Sequence, residues 1–239
     1  MMDSANTLIQ ELTQFCIDNY NENNIKKYQR FFKESYNAYG LSQNVMNEKI
    51  KDLVKNKKTE LNVILQAAPN LIKTGKYELI SFPIYLLNYY HKQFDKQVFY
   101  EVEKWFDNRI DNWAHADGIS SYIIHVFITK KIISFEDLKP WINSKNKFQR
   151  RVVPVSFIKP LKENIDLKEV LEFIEPLMLD KEREVHQGVG WFLREAWKKQ
   201  PLLIEEFLLR WKNTSARLII QYATEKMSKE EKLRFKKEI

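Results

Sequence analysis

Apolar residues recur at helical spacing along almost the whole chain, and no segment sustains the polar–apolar alternation of a half-buried strand. The first segment is typical, with Leu8, Leu12 and Cys16 four residues apart. The pattern predicts helices at about residues 4–20, 25–32, 59–72, 76–91, 95–109, 113–127, 135–142, 145–159, 167–178, 182–199, 202–212, 214–224 and 228–237. A further helix, carrying Met46, Ile50 and Leu53, is predicted to start after Ser42 as its N-cap.

Turn residues separate these segments. Asn21 to Asn24 break the first helical run, and Gly40 suits a helix C-terminal cap. Pro154 interrupts an otherwise helical run, which predicts a kink. The prolines that we expect at connections between helices are Pro69, Pro140, Pro160, Pro176 and Pro201.

Pairs of helices joined by short turns, at a spacing of about 35–40 residues, favour an all-α fold of the HEAT-like type, an α-α superhelix of antiparallel helix pairs. We expect residues 1–239 to form a single domain of this kind. A compact helical bundle is the competing architecture, because periodicity alone does not distinguish the two.

The composition agrees with a helical, globular chain. The 239 residues include only five glycines and seven prolines, fewer turn residues than a sandwich or barrel normally needs. No apolar run approaches the roughly 20 residues of a membrane span, and no signal peptide is apparent, so a cytoplasmic protein is expected. The single cysteine, Cys16, is interpreted as a small buried hydrophobe.

The formal net charge of +7 is compatible with a polyanionic partner, above all nucleic acid. Many soluble proteins are mildly basic without such a partner. The charge is therefore evidence for nucleic-acid binding only if lysine and arginine residues cluster on one face.

Common catalytic and metal-binding patterns are absent. The four histidines (His91, His115, His125 and His186) are scattered, and none has the spacing of a zinc-binding helix. The chain contains neither a phosphate-binding loop nor a serine nucleophile elbow. No metal and no cofactor are expected, and each histidine is interpreted as a surface residue or a hydrogen-bonded core residue.

Three stretches carry candidate chemistry. In the first, Trp113 and Asp117 lie four residues apart, which places an aromatic surface and a carboxylate on one face of a helix. The alternative is a half-buried tryptophan beside an acidic residue that favours the helix dipole.

The second stretch contains the adjacent residues Arg150 and Arg151. One of the two guanidinium groups is predicted to face solvent while the other lies along a groove. The planar guanidinium of an arginine could bind the phosphate oxygens of a nucleic acid, or it could belong to a solvated charge cluster.

The third stretch surrounds Trp191, which follows Gly188 and Gly190 within one helix. Glycine inside a helix costs roughly 1 kcal/mol relative to alanine. The two glycines therefore predict close helix packing or close approach of the backbone to a ligand.

Together the stretches resemble the AlkD-like DNA alkylation repair glycosylases. Arg30-Phe31-Phe32-Lys33, followed by Gly40, resembles the family's N-terminal motif, and Trp113-x-x-x-Asp117 resembles its central Trp-Asp-x-Val-Asp segment. Phe148-Gln149-Arg150-Arg151 resembles its Trp-Leu-x-Arg stretch, and Gly190-Trp191-Phe192-Leu193-Arg194-Glu195 its Gly-Trp-x-Leu-Arg-Glu stretch. The similarity extends over about residues 28–225.

The resemblance implies a HEAT-like superhelix whose concave basic face holds duplex DNA, and removal of purines alkylated at N3 or N7. It implies that Asp117 is the catalytic carboxylate and that Trp113 and Trp191 flank the deoxyribose of the lesion. It also implies that Arg151 holds the DNA backbone and that Phe31 lies near the lesion. Lys33 and Arg150 complete the predicted DNA-binding residues.

Three positions differ from the family pattern: Phe31 lacks a tyrosine hydroxyl, Ala114 stands where aspartate is common, and Phe148 replaces tryptophan. The first hypothesis is a monomeric glycosylase that acts on double-stranded DNA with alkylated bases. The second is a non-catalytic binder of damaged or branched DNA. The third is a HEAT-type protein-interaction scaffold.

Overall fold

The computed structural model describes residues 2–33, 36–57, 59–163 and 165–238. Within these ranges every regular element is helical and no β-strand occurs, which confirms the predicted all-α class. None of the helices in this part of the chain combines the length and the apolar character that a transmembrane span needs. The chain divides into two compact units, Met1–Ile123 and Ile124–Ile239.

The first unit contains short helices joined by tight connections. Its α-helices are α1 (Met2–Asp18), α2 (Glu22–Tyr28), α3 (Gln43–Lys55), α4 (Leu61–Lys73), α5 (Tyr77–Tyr89), α6 (Lys96–Glu103) and α7 (Trp113–Ile119). Turns of 3-10 helix follow three of them, at Gln29–Phe31, His91–Gln93 and Lys104–Asn108.

The second unit continues the same architecture. Its α-helices are α8 (His125–Thr129), α9 (Phe135–Ile142), α10 (Lys147–Ser156), α11 (Leu167–Ile174), α12 (Arg183–Trp197), α13 (Pro201–Trp211), α14 (Arg217–Ala223) and α15 (Lys229–Leu233). Turns of 3-10 helix occupy Pro160–Lys162 and Glu175–Leu179.

Polar side chains start several helices where the sequence predicts it. Ser42 caps α3 by accepting a hydrogen bond from the backbone N–H of Val45, which confirms the predicted cap. Asp95 caps α6 in the same way. These caps satisfy N–H groups that have no partner within the helix.

Two prolines that we expected at connections lie inside helices instead. Pro69 is in α4 and Pro140 is in α9. Proline removes only one backbone donor, and flanking residues with strong helical periodicity can still continue the helix. The other expected positions are confirmed, since Pro160 begins a 3-10 turn, Pro176 is the second residue of another, and Pro201 begins α13. Pro154 lies inside α10, which continues to Ser156.

The expectation that Gly40 caps a helix is wrong, because the preceding 3-10 turn already ends at Phe31. Gly40 nevertheless has a left-handed backbone conformation, with φ of +85°. A Cβ atom there would lie 2.1 Å from the backbone oxygen of Asn21. Glycine is thus required for a close approach between loop and helix start rather than for a cap.

Within each unit, alternate helices pack side by side. In the first unit α3 contacts α5 and α5 contacts α7, while α4 packs against α1, α5 and α6. In the second unit α10 contacts α12 and α12 contacts α14, while α9 packs against α10 and α13 against α12. This alternation of two helix layers is the local packing of an α-α solenoid, as predicted.

Candidate functional site

The helix α7 carries the predicted Trp113 and Asp117 and begins at a polar cap. The Asn112 side chain accepts a hydrogen bond from the backbone N–H of His115, with a distance of 3.0 Å. This cap fixes Trp113 as the first residue of α7 and puts half-buried Asp117 one turn further along. A π-helical turn, Ser120–Ile124, follows α7 where one continuous helix was predicted.

The buried His115 side chain attaches α7 to α5. Its Nδ1 lies 2.9 Å from Asn112 Nδ2, and its Nε2 lies 3.0 Å from the Tyr77 carbonyl oxygen and 3.2 Å from Ser81 Oγ. The Asn112 amide can only donate to Nδ1, so we assign the neutral tautomer with the proton on Nε2. Burial lowers the pKa of His115 to about 4, although the hydrogen bond to the Tyr77 backbone opposes this shift. His115 is therefore a hydrogen-bonded core residue, which is one of the two alternatives that the sequence left open.

The indole of Trp113 is fixed by contacts with the segment that follows α2. Its Nε1–H donates to the Phe31 carbonyl oxygen over 3.3 Å. Its ring stacks on Phe32 with centroids 5.5 Å apart and an interplanar angle of 19°. Phe32 in turn stacks on Tyr36 at 4.7 Å. Trp113 nevertheless remains 37% exposed, so one part of the ring is held and another is accessible.

A buried carboxylate holds the segment after Tyr36. Glu78, in the first turn of α5, is fully buried and accepts hydrogen bonds from the backbone N–H groups of Tyr39, Gly40 and Leu41 at 2.7–3.1 Å. Charge-assisted bonds of this kind are about twice as strong as neutral ones. Sequence reasoning missed Glu78. The sequence feature that points to it is an acidic residue at the start of the otherwise uncharged run Glu78–Ile84. The structure buries every residue of this run.

These contacts enclose an open pocket of about 270 Å³ in the first unit, which we call the aromatic pocket. Leu41, Gln43, Met46 and Ala114 form part of its wall. Its aromatic lining residues are Tyr28, Phe31, Phe32, Tyr36, Tyr77 and Trp113.

Tyr36 and Tyr77 of the aromatic pocket are neutral at physiological pH. Burial, reinforced by the Glu78 carboxylate, raises the pKa of Tyr77 to about 12. The same two causes raise the pKa of Tyr36. The pocket thus offers uncharged ring faces to a ligand.

Exposed cationic residues lie beside this pocket. The Arg30 guanidinium lies 5.0 Å from the centroid of Phe31, and the Lys27 ammonium 5.6 Å from the centroid of Tyr28. Lys33 is also exposed, and Phe31 is 57% exposed. In the first unit the structure thus brings together Phe31 and Trp113, with Lys33 two residues beyond Phe31.

The predicted arginines of the second unit are engaged inside the fold. Arg150 donates to Asp180 through Nε at 2.6 Å and through Nη2 at 3.2 Å, and Nη1 donates to the Ser144 carbonyl oxygen at 2.6 Å. Arg151 is 6% exposed, and its Nη1 donates to the Glu184 carbonyl oxygen at 2.6 Å. The prediction that one of these guanidinium groups faces solvent is therefore wrong.

Trp191 is half-buried on α12, beside two close contacts between helices. A Cβ atom on Gly190 would lie 2.5 Å from Tyr222 Cβ, and one on Gly188 would lie 3.0 Å from Arg151 Cγ. The glycines therefore allow α12 to approach α14 and α10, which confirms the expectation of close helix packing.

Among the described residues, no group of three or more histidine, cysteine, aspartate or glutamate side chains is arranged to hold a metal ion. Cys16 is buried, and burial raises the pKa of its thiol to about 12, which makes it a poor nucleophile. On α7 itself, the carboxyl group of Asp117 lies one helical turn after the indole of Trp113.

A scan against protein-family models finds one described as DNA alkylation repair enzyme. A search of curated proteins gives no match. The family match agrees with the resemblance carried by the four motifs and extends beyond it at both ends. Because the match spans residues 13–227, nearly the whole chain, the protein belongs to the DNA alkylation repair enzyme family.

Proposed function

We propose that this protein is a DNA glycosylase that hydrolyses the N-glycosidic bond of cationic N3- or N7-alkylated purines in duplex DNA. The observation that carries the proposal is the arrangement on α7, where Asp117 follows the exposed and stacked Trp113 by one helical turn. Membership of the DNA alkylation repair enzyme family supports a role in DNA repair, and the choice of alkylated purines as substrate is part of the proposal.

The proposed reaction needs no general acid. An alkylated purine is already positively charged, so the bond between the sugar C1′ and the base nitrogen breaks with its electron pair neutralising the base. The sugar gains oxocarbenium character, as in glycoside hydrolysis. Water then forms the new bond to C1′ and loses its proton to the carboxylate.

Asp117 is the group that stabilises the sugar cation in this proposal. A carboxylate at ~4 Å in an effective dielectric near 20 interacts with a unit positive charge by about 4 kcal/mol. That energy corresponds to roughly a thousandfold in rate. The exposed face of Trp113 adds cation–π attraction of about 0.5–2 kcal/mol.

The remaining predicted residues have supporting roles. We propose that Phe31 and Lys33 of the first unit contact the damaged strand, because both are exposed. Trp191 and Arg151 of the second unit are proposed DNA contacts on the motif resemblance alone. Because Arg151 is largely buried, its contact would be made by the edge of a guanidinium that is already positioned by Glu184.

The test is release of free methylpurine from N-methylated duplex DNA. Wild-type protein is expected to release the base, and Asp117→Asn to slow release about a thousandfold. Asp107→Asn, an exposed aspartate in the same unit, removes the same charge and should retain full activity. Absence of release by wild type, or undiminished release by Asp117→Asn, contradicts the proposal. Binding without release would instead indicate a non-catalytic binder of damaged DNA.

A further inference from the structure

We propose that a pocket in the second unit, which we call the α9–α11 pocket, binds a basic peptide segment of a partner protein through one apolar side chain of that segment. The pocket has a volume of about 310 Å³ and lies among α8, α9, the segment after α10 and the start of α11. This inference goes beyond the proposed function, because the lining contains none of the residues that are proposed to act on DNA.

Apolar side chains form most of the wall of the α9–α11 pocket. Ile128 of α8, Phe135 of α9 and Ile165 before α11 line it and are half-buried, so each keeps apolar surface that a ligand can cover. Phe157 is buried in the same wall, with its ring centroid 5.6 Å from that of Phe135. The volume lies at the lower end of the range of roughly 300–1,000 Å³ for ligand pockets. It accommodates one large apolar side chain, which is the usual anchor of a protein interface.

Hydrogen bonds hold the two helix starts that border the pocket. At α9 the backbone N–H of Ser134 donates to Asp137 Oδ2 at 2.9 Å. At α11 the Asp166 carboxylate accepts from the backbone N–H of Lys168 at 3.0 Å. A ligand therefore meets a wall that is already ordered, which lowers the free-energy cost of binding.

The chain next to the pocket is acidic although the protein as a whole is basic. Five acidic residues recur at every third position from Glu163 to Glu175, and the only basic residue among them is Lys168, so this segment has a net charge of −4 in a chain of +7. Two of the five, Asp166 and Glu169, line the pocket. Such a surface repels the phosphates of DNA and attracts lysine and arginine side chains.

Glu169 is the acidic group best placed to contact a basic partner. It is exposed, and no lysine or arginine in the described part of the chain forms an ion pair with it. The other acidic lining residue, Asp166, already caps α11. Lys131 also lines the pocket, and the two carboxylates outnumber it. A segment with one apolar side chain between lysine or arginine residues complements both the apolar wall and the acidic edge.

The experiment measures binding of three fluorescein-labelled heptapeptides by fluorescence anisotropy. The first is Gly-Lys-Lys-Phe-Lys-Lys-Gly, the second has serine in place of phenylalanine, and the third has serine in place of every lysine. We expect wild-type protein to bind the first about tenfold more tightly than the second, because only phenylalanine fills the pocket. The third should also bind more weakly than the first, because it lacks the charges that pair with the acidic edge.

Glu169→Lys tests whether the acidic edge of this pocket makes the contact. The variant should bind the first peptide about fivefold more weakly, as expected for reversal of one exposed charge. Glu206→Lys is the matched control, because Glu206 is an exposed glutamate on α13 of the same unit and is not among the lining residues. It should leave the affinity unchanged.

Ile165→Trp tests the apolar wall by filling the pocket from its rim. The tenfold preference for the phenylalanine peptide should disappear, while binding of the second peptide stays the same. Leu202→Trp is the control, because Leu202 is 83% exposed on α13 and lies outside the pocket lining. Urea unfolding of all four variants checks that each one folds.

Equal binding of the first two peptides by wild type would overturn the inference, because charge alone would then account for binding. A preference that survives in folded Ile165→Trp, or an affinity that survives in Glu169→Lys, would place the contact elsewhere and overturn it as well. Phenethylamine that displaces the first peptide equally well, mole for mole, would indicate a site for a small cation instead of a peptide.

Discussion

His115 links the local structure of α7 to pH. The side chain is buried between α7 and α5 and accepts from Asn112 while donating to the Tyr77 carbonyl oxygen. Protonation would place a second N–H against the Asn112 amide and a charge in a nonpolar environment. The native state therefore favours the neutral imidazole, consistent with a pKa of about 4.

We expect the protein to lose stability as the pH falls from 7.5 to 4.5. The unfolded chain binds a proton on His115 below its ordinary pKa of 6.5, whereas the native state does so only near 4. Between these values the unfolded state holds more protons, so the free energy of unfolding decreases by about 2–3 kcal/mol. Urea unfolding of wild type and His115→Gln at both pH values measures the contribution of His115 to this loss of stability. The variant should lack that contribution.

Ser81→Ala is the control for the pH experiment. It removes a partner of His115 Nε2 but keeps the titrating imidazole and the Tyr77 carbonyl, so the pH dependence should persist. If His115→Gln and wild type lose stability equally on acidification, other groups account for the effect.

Some of these side-chain assignments were accessible from the sequence and others were not. The sequence left open whether each histidine is a surface residue or a hydrogen-bonded core residue, and the structure places His115 in the core. The role of Glu78 was not accessible, because its partners are backbone N–H groups 37–39 residues earlier in the chain. The aromatic pocket depends on the same long-range contact. The roles of Asp117 and Trp191 stay predictions.

Among the helices, the contact between α12 and α14 depends on one position without a side chain. Gly190 lies where a Cβ atom would be 2.5 Å from Tyr222 Cβ and 2.9 Å from the Ile219 backbone oxygen. Neither atom is the end of a flexible side chain, so the helices would have to separate. Gly188 differs, because the atom nearest to a Cβ at that position would belong to the Arg151 side chain, at 3.0 Å.

Gly190→Ala is expected to destabilise the protein by about 1–3 kcal/mol, the usual effect of overpacking a close contact. This loss is the net of the strain and the roughly 1 kcal/mol that alanine contributes to helix propensity. Gly188→Ala gains the same propensity and brings its Cβ only to 3.0 Å from Arg151 Cγ, a milder contact than at Gly190, so its stability should change less. Chemical denaturation of both variants checks the difference. Equal effects would show that helix propensity rather than the α12–α14 contact determines the outcome.

Helix positions were largely predictable because most of the helices bury an apolar stripe. Residues 135–142 were predicted and Phe135–Ile142 is observed. Departures occur where local geometry overrides periodicity. The π-helical turn Ser120–Ile124 divides the helix predicted at 113–127, and Pro69 and Pro140 are tolerated inside helices. The apolar periodicity by itself predicted neither the π-helical turn nor the two prolines inside helices.

For the chain as a whole, the count of 39 lysine and arginine residues overstates the number of cations available to a polyanion. Several cations are paired with carboxylates within the described residues, including Arg194 with Glu225, Arg234 with Glu205 and Lys212 with Glu238. A lysine or arginine contributes to DNA binding only if an ion pair within the fold does not already hold its side chain. Lys33 and Arg150 were both predicted to contact DNA, and the structure places them in opposite situations.

Lys33→Ala should lower the slope of log affinity against log salt concentration by about 1 without changing stability, as expected for one lost phosphate contact at an exposed position. Arg150→Ala should instead lower the free energy of unfolding by roughly 2–4 kcal/mol, because Asp180 is only 7% exposed and would lose its two-pronged partner. Salt titrations of duplex binding and urea unfolding of both variants distinguish the two roles.

Arg150→Lys is the control variant, because it keeps the positive charge but loses the planar guanidinium that donates two hydrogen bonds to Asp180. It should therefore remain destabilised. A reduced salt slope with unchanged stability in Arg150→Ala would mean that the ion pair opens to bind phosphate, and that a cation paired within the fold still counts toward DNA binding.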